Sequence, residues 1–196
     1  MEQVLVEGKR VSRPLAGDLV RDARSGDRDA FDRLMAARFE SAFRTAMAIL
    51  GHEADARDAT QDVFVKAWRE LPSLRDPERF DAWLGRITVN TCRTALRARR
   101  RFQGRESSGL AIGDLQEPRS AQPRQQLDDH AADLDVLERA FDRLAPSERA
   151  LLVLHHLDRR PLADIAVAFG IPEGTAKSRL HAARRALGRA LEAERR

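Results

Sequence analysis

The sequence predicts an all-α chain of two small helical domains joined by a flexible linker. Three observations carry this. Apolar residues recur at intervals of three and four through most of 18–102 and 131–196, which is the period of an amphipathic helix. No stretch alternates convincingly, and aromatics make up only 5% with no tyrosine, against the β-branched and aromatic usage of strands. Between 103 and 130 the periodicity fails, and GRESSGLAIGDLQEPRSAQPRQQ is rich in Gly, Ser, Pro and Gln, the composition of a tether. A chain of 196 residues with 42% hydrophobic and 34% charged content can build two small cores and does not have the make-up of a disordered one.

Taken in order, residues 1–17 form an extension, and the helical pattern begins at about Asp18. Asp27 or Asp29 is placed to cap a helix with Phe31, Leu34, Met35, Phe39, Phe43, Met47 and Leu50 on its apolar face, and Gly51 stops it. From Asp55 to Leu71 a second helix lines up Ala59, Val63, Ala67 and Leu71, with Phe64 and Trp68 beside them. Asp58, Gln61, Asp62 and Lys66 take its opposite face. PSLRDPERF holds two prolines and is a loop. The third helix carries Phe80, Trp83, Leu84, Ile87, Thr88 and Thr91, then runs into Arg93, Arg97, Arg99, Arg100, Arg101 and Arg105. Trp68 and Trp83 both fall on apolar stripes, which predicts packing in the core. Beyond the linker, Leu134, Leu137, Phe141 and Leu144 mark one helix and Pro146–Leu157 the next.

Several classes are excluded. No apolar run approaches the roughly 20 residues that span a bilayer, and MEQVLVEGKRVSRPLAGD lacks the basic start and apolar block of a secretory signal; the cytoplasm is the expected compartment. Cys92 is the single cysteine, so there is neither an internal disulfide nor a multi-cysteine metal site, and its apolar setting predicts a buried, inert thiol. His155 and His156 are adjacent on a helix and so point apart, a poor metal pair. A Gly-rich phosphate loop and a nucleophile–base pair are both missing, so neither catalysis nor a cofactor is expected. The net charge is only +4, but the pI is near 10.1 because arginine supplies nearly all the basic charge. That charge is uneven. Arginines crowd 93–105 and 179–189, with Asp128, Asp129, Asp133, Asp135 and Glu138 between, and arginine's planar fork suits phosphate.

LADIAVAFGIPEGTAKSRL reads as two short helices pinched around Gly170. Leu162, Ile165, Ala166 and Phe169 face inward on the first, and Ala176, Leu180, Ala183 and Leu187 on the second, with Ile171 at the corner and Pro172 opening the second helix. The outer face of the second helix shows Lys177, Ser178, His181 and Arg185. This is the pattern of a helix-turn-helix whose second helix enters the major groove N-terminus first. Lys177, Ser178 and His181 are the candidate base readers. Arg179, Arg184 and, from the preceding helix, Arg149 are the candidate phosphate contacts, which fix register rather than sequence. A plain helical hairpin with a solvated basic face is the alternative.

DATQDVFVKAW, WLGRITVN and EGTAKSRLHAARRAL, in that order, resemble motifs of the extracytoplasmic-function sigma factors, the small two-domain subunits that direct bacterial RNA polymerase to promoters. The resemblance makes 55–101 the family's second region and 133–191 its fourth, a helix-turn-helix of winged-helix-like kind. It implies that Asp58, Gln61 and Asp62 dock on the polymerase clamp helices. The loop of Ser73, Leu74, Arg75, Asp76 and on to Arg79 would pocket a base flipped from the −10 element, Asn90 would read that element's upstream edge, and Arg86, Arg93 and Arg97 would hold the backbone of the opening duplex. The C-terminal unit would read the −35 element. Implied partners are core RNA polymerase, through its β′ clamp helices and β flap, promoter DNA, and an anti-sigma factor, with the free protein a monomer and no membrane insertion. Glu106, Asp114 and Glu117 of the linker would mimic nucleic acid in the polymerase cleft. The rival reading is a helix-turn-helix regulator that binds duplex DNA without polymerase.

Overall fold

The carboxylate of Asp27 accepts the backbone N–H of Ala30 at 3.0 Å, satisfying one of the free donors at a helix start and opening a helix of 23 residues. The computed structural model describes residues 13–106 and 129–195. Among these the helices are α1 (Arg13–Arg24), α2 (Arg28–Leu50), α3 (Glu53–Glu70), α4 (Phe80–Glu106), α5 (Asp129–Asp142), α6 (Pro146–Leu152), α7 (Leu162–Phe169) and α8 (Glu173–Glu194), and no strand occurs. Two 3₁₀ turns, Leu71–Ser73 and Pro77–Arg79, bridge α3 to α4, and a π turn, Val153–Leu157, follows α6. The C-terminal unit is therefore a helix-turn-helix without a β wing among the described residues.

The N-terminal unit closes around Val20 of α1, Phe31, Leu34 and Met35 of α2, Val63 and Ala67 of α3, and Leu84 and Ile87 of α4. Helix α1 takes in residues 13–17 of the extension, and α4 continues through 103–106, including Glu106. Both expected boundaries move, because amphipathic periodicity is weakest at helix ends. Asp114 and Glu117 lie outside the described residues.

A second cluster joins the two units. It takes Ala46, Ile49 and Leu50 from α2 and Val89 and Cys92 from α4. Leu151 of α6, Leu154, Ile165, Ala168 and Phe169, and Leu180 and Ala183 of α8 complete it. The two helical units thus share a core. Helix α4 is apolar on two faces: Phe80, Leu84 and Ile87 serve the N-terminal bundle, while Gly85, Val89, Cys92 and Leu96 lie at helical spacing toward the C-terminal unit. The axes come close because Gly85 has no side chain. A Cβ there would lie 3.3 Å from the Cβ of Ala168, tighter than ordinary contact. Cys92 is fully buried as expected, and burial pushes its thiol up to about 12.

Polar residues finish the seam. The Asp158 carboxylate accepts hydrogen bonds from Ser41 Oγ at 2.6 Å and from Arg44 Nη2 and Nε at 2.6 and 3.1 Å, and its side chain is only 3% exposed. Arg160 donates to the Asp81 carbonyl at 2.8 Å and to Ser41 Oγ at 3.2 Å. Arg149 is 5% exposed and donates to the carbonyls of Ala48 (2.6 Å), Asp142 and Leu144 (both 3.2 Å). This corrects its expected role as a phosphate contact: α6 turns Arg149 into the seam, where the guanidinium satisfies carbonyls of both units.

Other expectations also shift. Leu134 and Leu137 are exposed, and Val136 and Ala140 turn inward on α5 in their place, whereas Phe141 and, just past the helix, Leu144 pack on the core as expected. Trp83 is half-buried against Phe80, but Trp68 lies 37% exposed at the surface. Lys66 leaves the polar face of α3 to donate to Thr91 Oγ1 at 3.0 Å. The π turn brings the His155 and His156 rings edge to face, 4.9 Å apart, where α-helical spacing had them diverging.

Replacing Arg149 by alanine leaves three buried carbonyls short of a donor and opens a cavity, a loss of about 3 kcal/mol. Lysine, lacking the fork, should recover less than half of it. Urea melts of the full chain check this; a loss below about 0.5 kcal/mol would contradict the assigned role.

Candidate nucleic-acid and partner interfaces

Three surfaces emerge from how the helices are laid. The first lies between α2 and α3. Phe39 is 40% exposed, Val65 43% and Trp68 37%, and with Phe31, Gln61 and Phe64 they line an open groove of about 620 Å³. The rings brace one another: Phe31 meets Trp68 edge-on at 4.8 Å, and Phe39 stacks on Phe43 at 5.8 Å. Asp58, Gln61 and Asp62 are all exposed along the same helix. Arg57, Gln61 and Arg69 also line the groove, so an apolar floor with a polar, partly basic border lies beside the exposed Asp58 and Asp62, a surface that fits an amphipathic helix. Sequence reasoning named the exposed polar face of α3 and missed the groove. Its signal was present in Phe39 and Phe43, which fall out of phase with the buried Ala42, Ala46 and Ile49.

The second surface runs along α4. Arg86, Asn90, Arg93 and Arg97 stand at intervals of four, three and four, which puts them on one face. Arg86, Asn90 and Arg97 are exposed. Arg93 is half-buried: its Nη1 donates to the Phe169 carbonyl at 3.3 Å and its guanidinium lies 5.1 Å from the Phe169 ring centre. Burial, then the positive charges of Arg179 and Arg97, push the Arg93 guanidinium below its usual value. The loop before α4 presents Ser73, Arg75, Asp76 and Arg79 to solvent. Asp76 caps the second 3₁₀ turn by accepting the Glu78 N–H at 3.0 Å, and Ser73 Oγ donates to the Glu70 carbonyl at 2.6 Å. Leu74 departs from the expected set of DNA-contacting residues. It is 7% exposed and packs in the N-terminal core, so it anchors the loop while its polar neighbours face outward.

The third surface is the outer face of α8. Gly170 ends α7 in the left-handed region (φ 66°), which glycine adopts at no steric cost. The Ile171 N–H then returns to the Ala166 carbonyl at 3.0 Å, closing the sharp turn. Ala176, Leu180 and Ala183 are buried beneath, so Lys177, Ser178, Arg179, His181, Arg184 and Arg185 all face solvent. Ser178 Oγ donates to the Thr175 carbonyl at 3.0 Å, which leaves its lone pairs outward. Arg184 Nε donates to His156 Nε2 at 3.1 Å. That nitrogen is therefore unprotonated, and burial first, then Arg184, hold the His156 pKa below the usual histidine value.

Among the described residues no group of three or more His, Cys, Asp or Glu side chains converges to hold a metal, and no helix is long and apolar enough to cross a membrane. Comparison with known proteins agrees with the layout. The family description for Sigma-70 region 2 matches residues 37–102, and that for Sigma-70, region 4 matches residues 134–187, together well over half of the chain. The chain is 33% identical over 167 residues to the ECF RNA polymerase sigma factor SigM of Mycobacterium tuberculosis, covering 85% of this chain and 80% of that protein. It is 29% identical over 189 residues to the RNA polymerase sigma-H factor of Pseudomonas aeruginosa, covering 89% and 92%. Among solved structures, CnrH in complex with the cytosolic domain of CnrY is similar at a TM-score of 0.63 and 26% identity, over 91% of this chain and 98% of that one. The sigma factor RpoE of Bartonella quintana in complex with the anti-sigma factor NepR follows at 0.59 and 25%, over 83% and 96%. Two sigma regions in order, each carrying an exposed basic helix, and relatives matched across most of their own length lead to one conclusion: the chain belongs to the extracytoplasmic-function RNA polymerase sigma factors.

Proposed function

We propose that the chain joins core RNA polymerase in the cytoplasm and directs it to promoters through three separate surfaces. The α2–α3 groove and the exposed Asp58, Gln61 and Asp62 on the same helix receive the polymerase clamp helices, the apolar floor giving affinity and the polar residues giving orientation. Asn90, whose amide both donates and accepts, reads the upstream edge of the −10 element. Arg86, Arg93 and Arg97 grip its phosphates, and the Ser73–Arg79 loop holds a base taken out of the stack. Lys177, Ser178 and His181 read the −35 element from the major groove, with Arg179 and Arg184 on the backbone. The C-terminal unit also meets the β flap. The observation that carries this reading is that one chain exposes two basic helices, α4 and α8, on different units, with an apolar groove between α2 and α3 distinct from both.

A relative of similar fold was solved with an anti-sigma factor, which supports a protein inhibitor of the same class here. The rival, a duplex-binding regulator independent of polymerase, needs no apolar groove beside Asp62.

Added to core polymerase, the chain should give discrete transcription starts from a genomic library; the same starts without it would overturn the reading. Lys177→Ala or Ser178→Ala should change base preference at the −35 element by about 1–3 kcal/mol, and Asn90→Ala should weaken use of the −10 element by a similar amount, both measured on promoter variants. Asp62→Arg should weaken binding to core polymerase at least about tenfold with unchanged helicity. A gel shift of the chain alone on duplex promoter should show weak binding, where the rival requires tight binding.

A further inference from the structure

The outer face of α8 carries an arginine that is already held in place. Arg184 Nε donates to His156 Nε2 at 3.1 Å, a contact between the recognition helix and the π turn that lies outside the helix-turn-helix. We propose that His156 is a positioning residue for the −35 element: it fixes Arg184 by one nitrogen and leaves the two terminal nitrogens of the fork to the DNA backbone. The inference rests on the sigma reading above and adds a residue to its −35 machinery.

The chemistry of the partner makes the case first. Elsewhere in the chain arginines are held by carboxylates, Arg44 by Asp158 and Arg139 by Glu194. A carboxylate offsets the charge of the fork it holds and competes with phosphate for the same N–H groups. The imidazole of His156 does neither. It accepts a single N–H and leaves the positive charge of Arg184 whole. A long side chain also loses rotamer freedom when a ligand immobilises it. With Nε already fixed, Arg184 has less to lose on meeting a phosphate.

Placement makes the case second. Arg184 lies seven residues after Lys177, about two turns, so the two share a face and stand about 10 Å apart along α8. Lys177 is at the end that enters the major groove first. Arg184 follows on the same face, where the helix leaves the base edges for the backbone, and a contact there fixes register.

The π turn is what brings His156 to that spot, and it is firmly seated. Its widened ring is closed by the Asp158 N–H on the Val153 carbonyl at 3.0 Å, and the Arg160 N–H returns to the Leu154 carbonyl at 2.9 Å. Val153 and Leu154 are buried beneath it. Such single π turns recur at functional sites. Histidine has only two side-chain torsions, and the His155 ring braces that of His156 edge to face at 4.9 Å. Burial, then the charges of Arg184 and His155, hold His156 below the usual histidine value, so at neutral pH its Nε2 is an acceptor.

Promoter binding by holoenzyme rebuilt from core polymerase and the full chain tests the proposal. Arg184→Ala should weaken binding alike across −35 variants and reduce the slope of log affinity against log salt by about 1. His156→Ala should weaken binding about two- to tenfold, again without a change of base preference. Once Arg184 is alanine, the same substitution should add less than about twofold. His156→Gln, whose amide oxygen reaches the place of Nε2, should stay within about twofold of wild type. Binding by His156→Ala equal to wild type overturns the proposal, as does an equal loss with and without Arg184, or a glutamine variant as weak as the alanine one. His156 is exposed, so helicity should hold; if circular dichroism shows a loss in His156→Ala, His156→Ser takes its place under the same criteria. Independently of DNA, nitrogen-15 shifts of the wild-type ring at neutral pH should place its proton on Nδ1, and Arg184→Ala should move it toward Nε2, the nitrogen that carries it in free histidine. A wild-type ring protonated on Nε2 overturns the pairing. A wild-type holoenzyme that binds no promoter overturns the sigma reading and the −35 role with it, while the ring tautomer still decides the pairing.

Discussion

The crossing of α4 and α7 at Gly85 and Ala168 governs the rest of the molecule. A helix normally buries one stripe; α4 buries two, and the second is usable only because a glycine lets another axis approach to within a methyl contact. Val89, Cys92 and Leu96 then meet Ile165, Ala168 and Phe169 in one dry cluster. Arg149, Asp158 and Arg160 settle the polar groups that this approach strips of water. Remove the crossing, and what remains is two bundles on a string.

The same crossing sets where function sits. Surfaces that face away from it, the α2–α3 groove and the outer face of α8, are open. Along its edge lies the α4 stripe, where Asn90 is exposed but Arg93 is engaged.

Much of this was legible in the residues. Helix starts and stops followed from Asp27, Pro72 and Gly170, and the outward set on α8 followed from the burial of Ala176, Leu180 and Ala183. What failed did so for physical reasons. Arg149 and Lys66 sit at surface-like positions of their own helices and became buried or half-buried donors only because a second unit or a neighbouring helix supplied acceptors. Leu74 lies in a polar loop, and nothing local announces that the loop needs an anchor. Periodicity assigns one apolar stripe per helix, so it placed Leu134 and Leu137 inside and Phe39 in the core, whereas these helices are offset to serve other neighbours. The shared core itself was invisible because a Gly- and Pro-rich connection suggests independence, and only the complementarity of Gly85 with Ala168 shows otherwise.

The most direct measurement of the central claim is small-angle X-ray scattering from the free full-length chain in dilute solution at physiological salt. The shared core requires a radius of gyration of about 16–20 Å, that of a single body of this length. A wild-type value well above about 25 Å, that of two bundles moving separately on an extended tether, would contradict it.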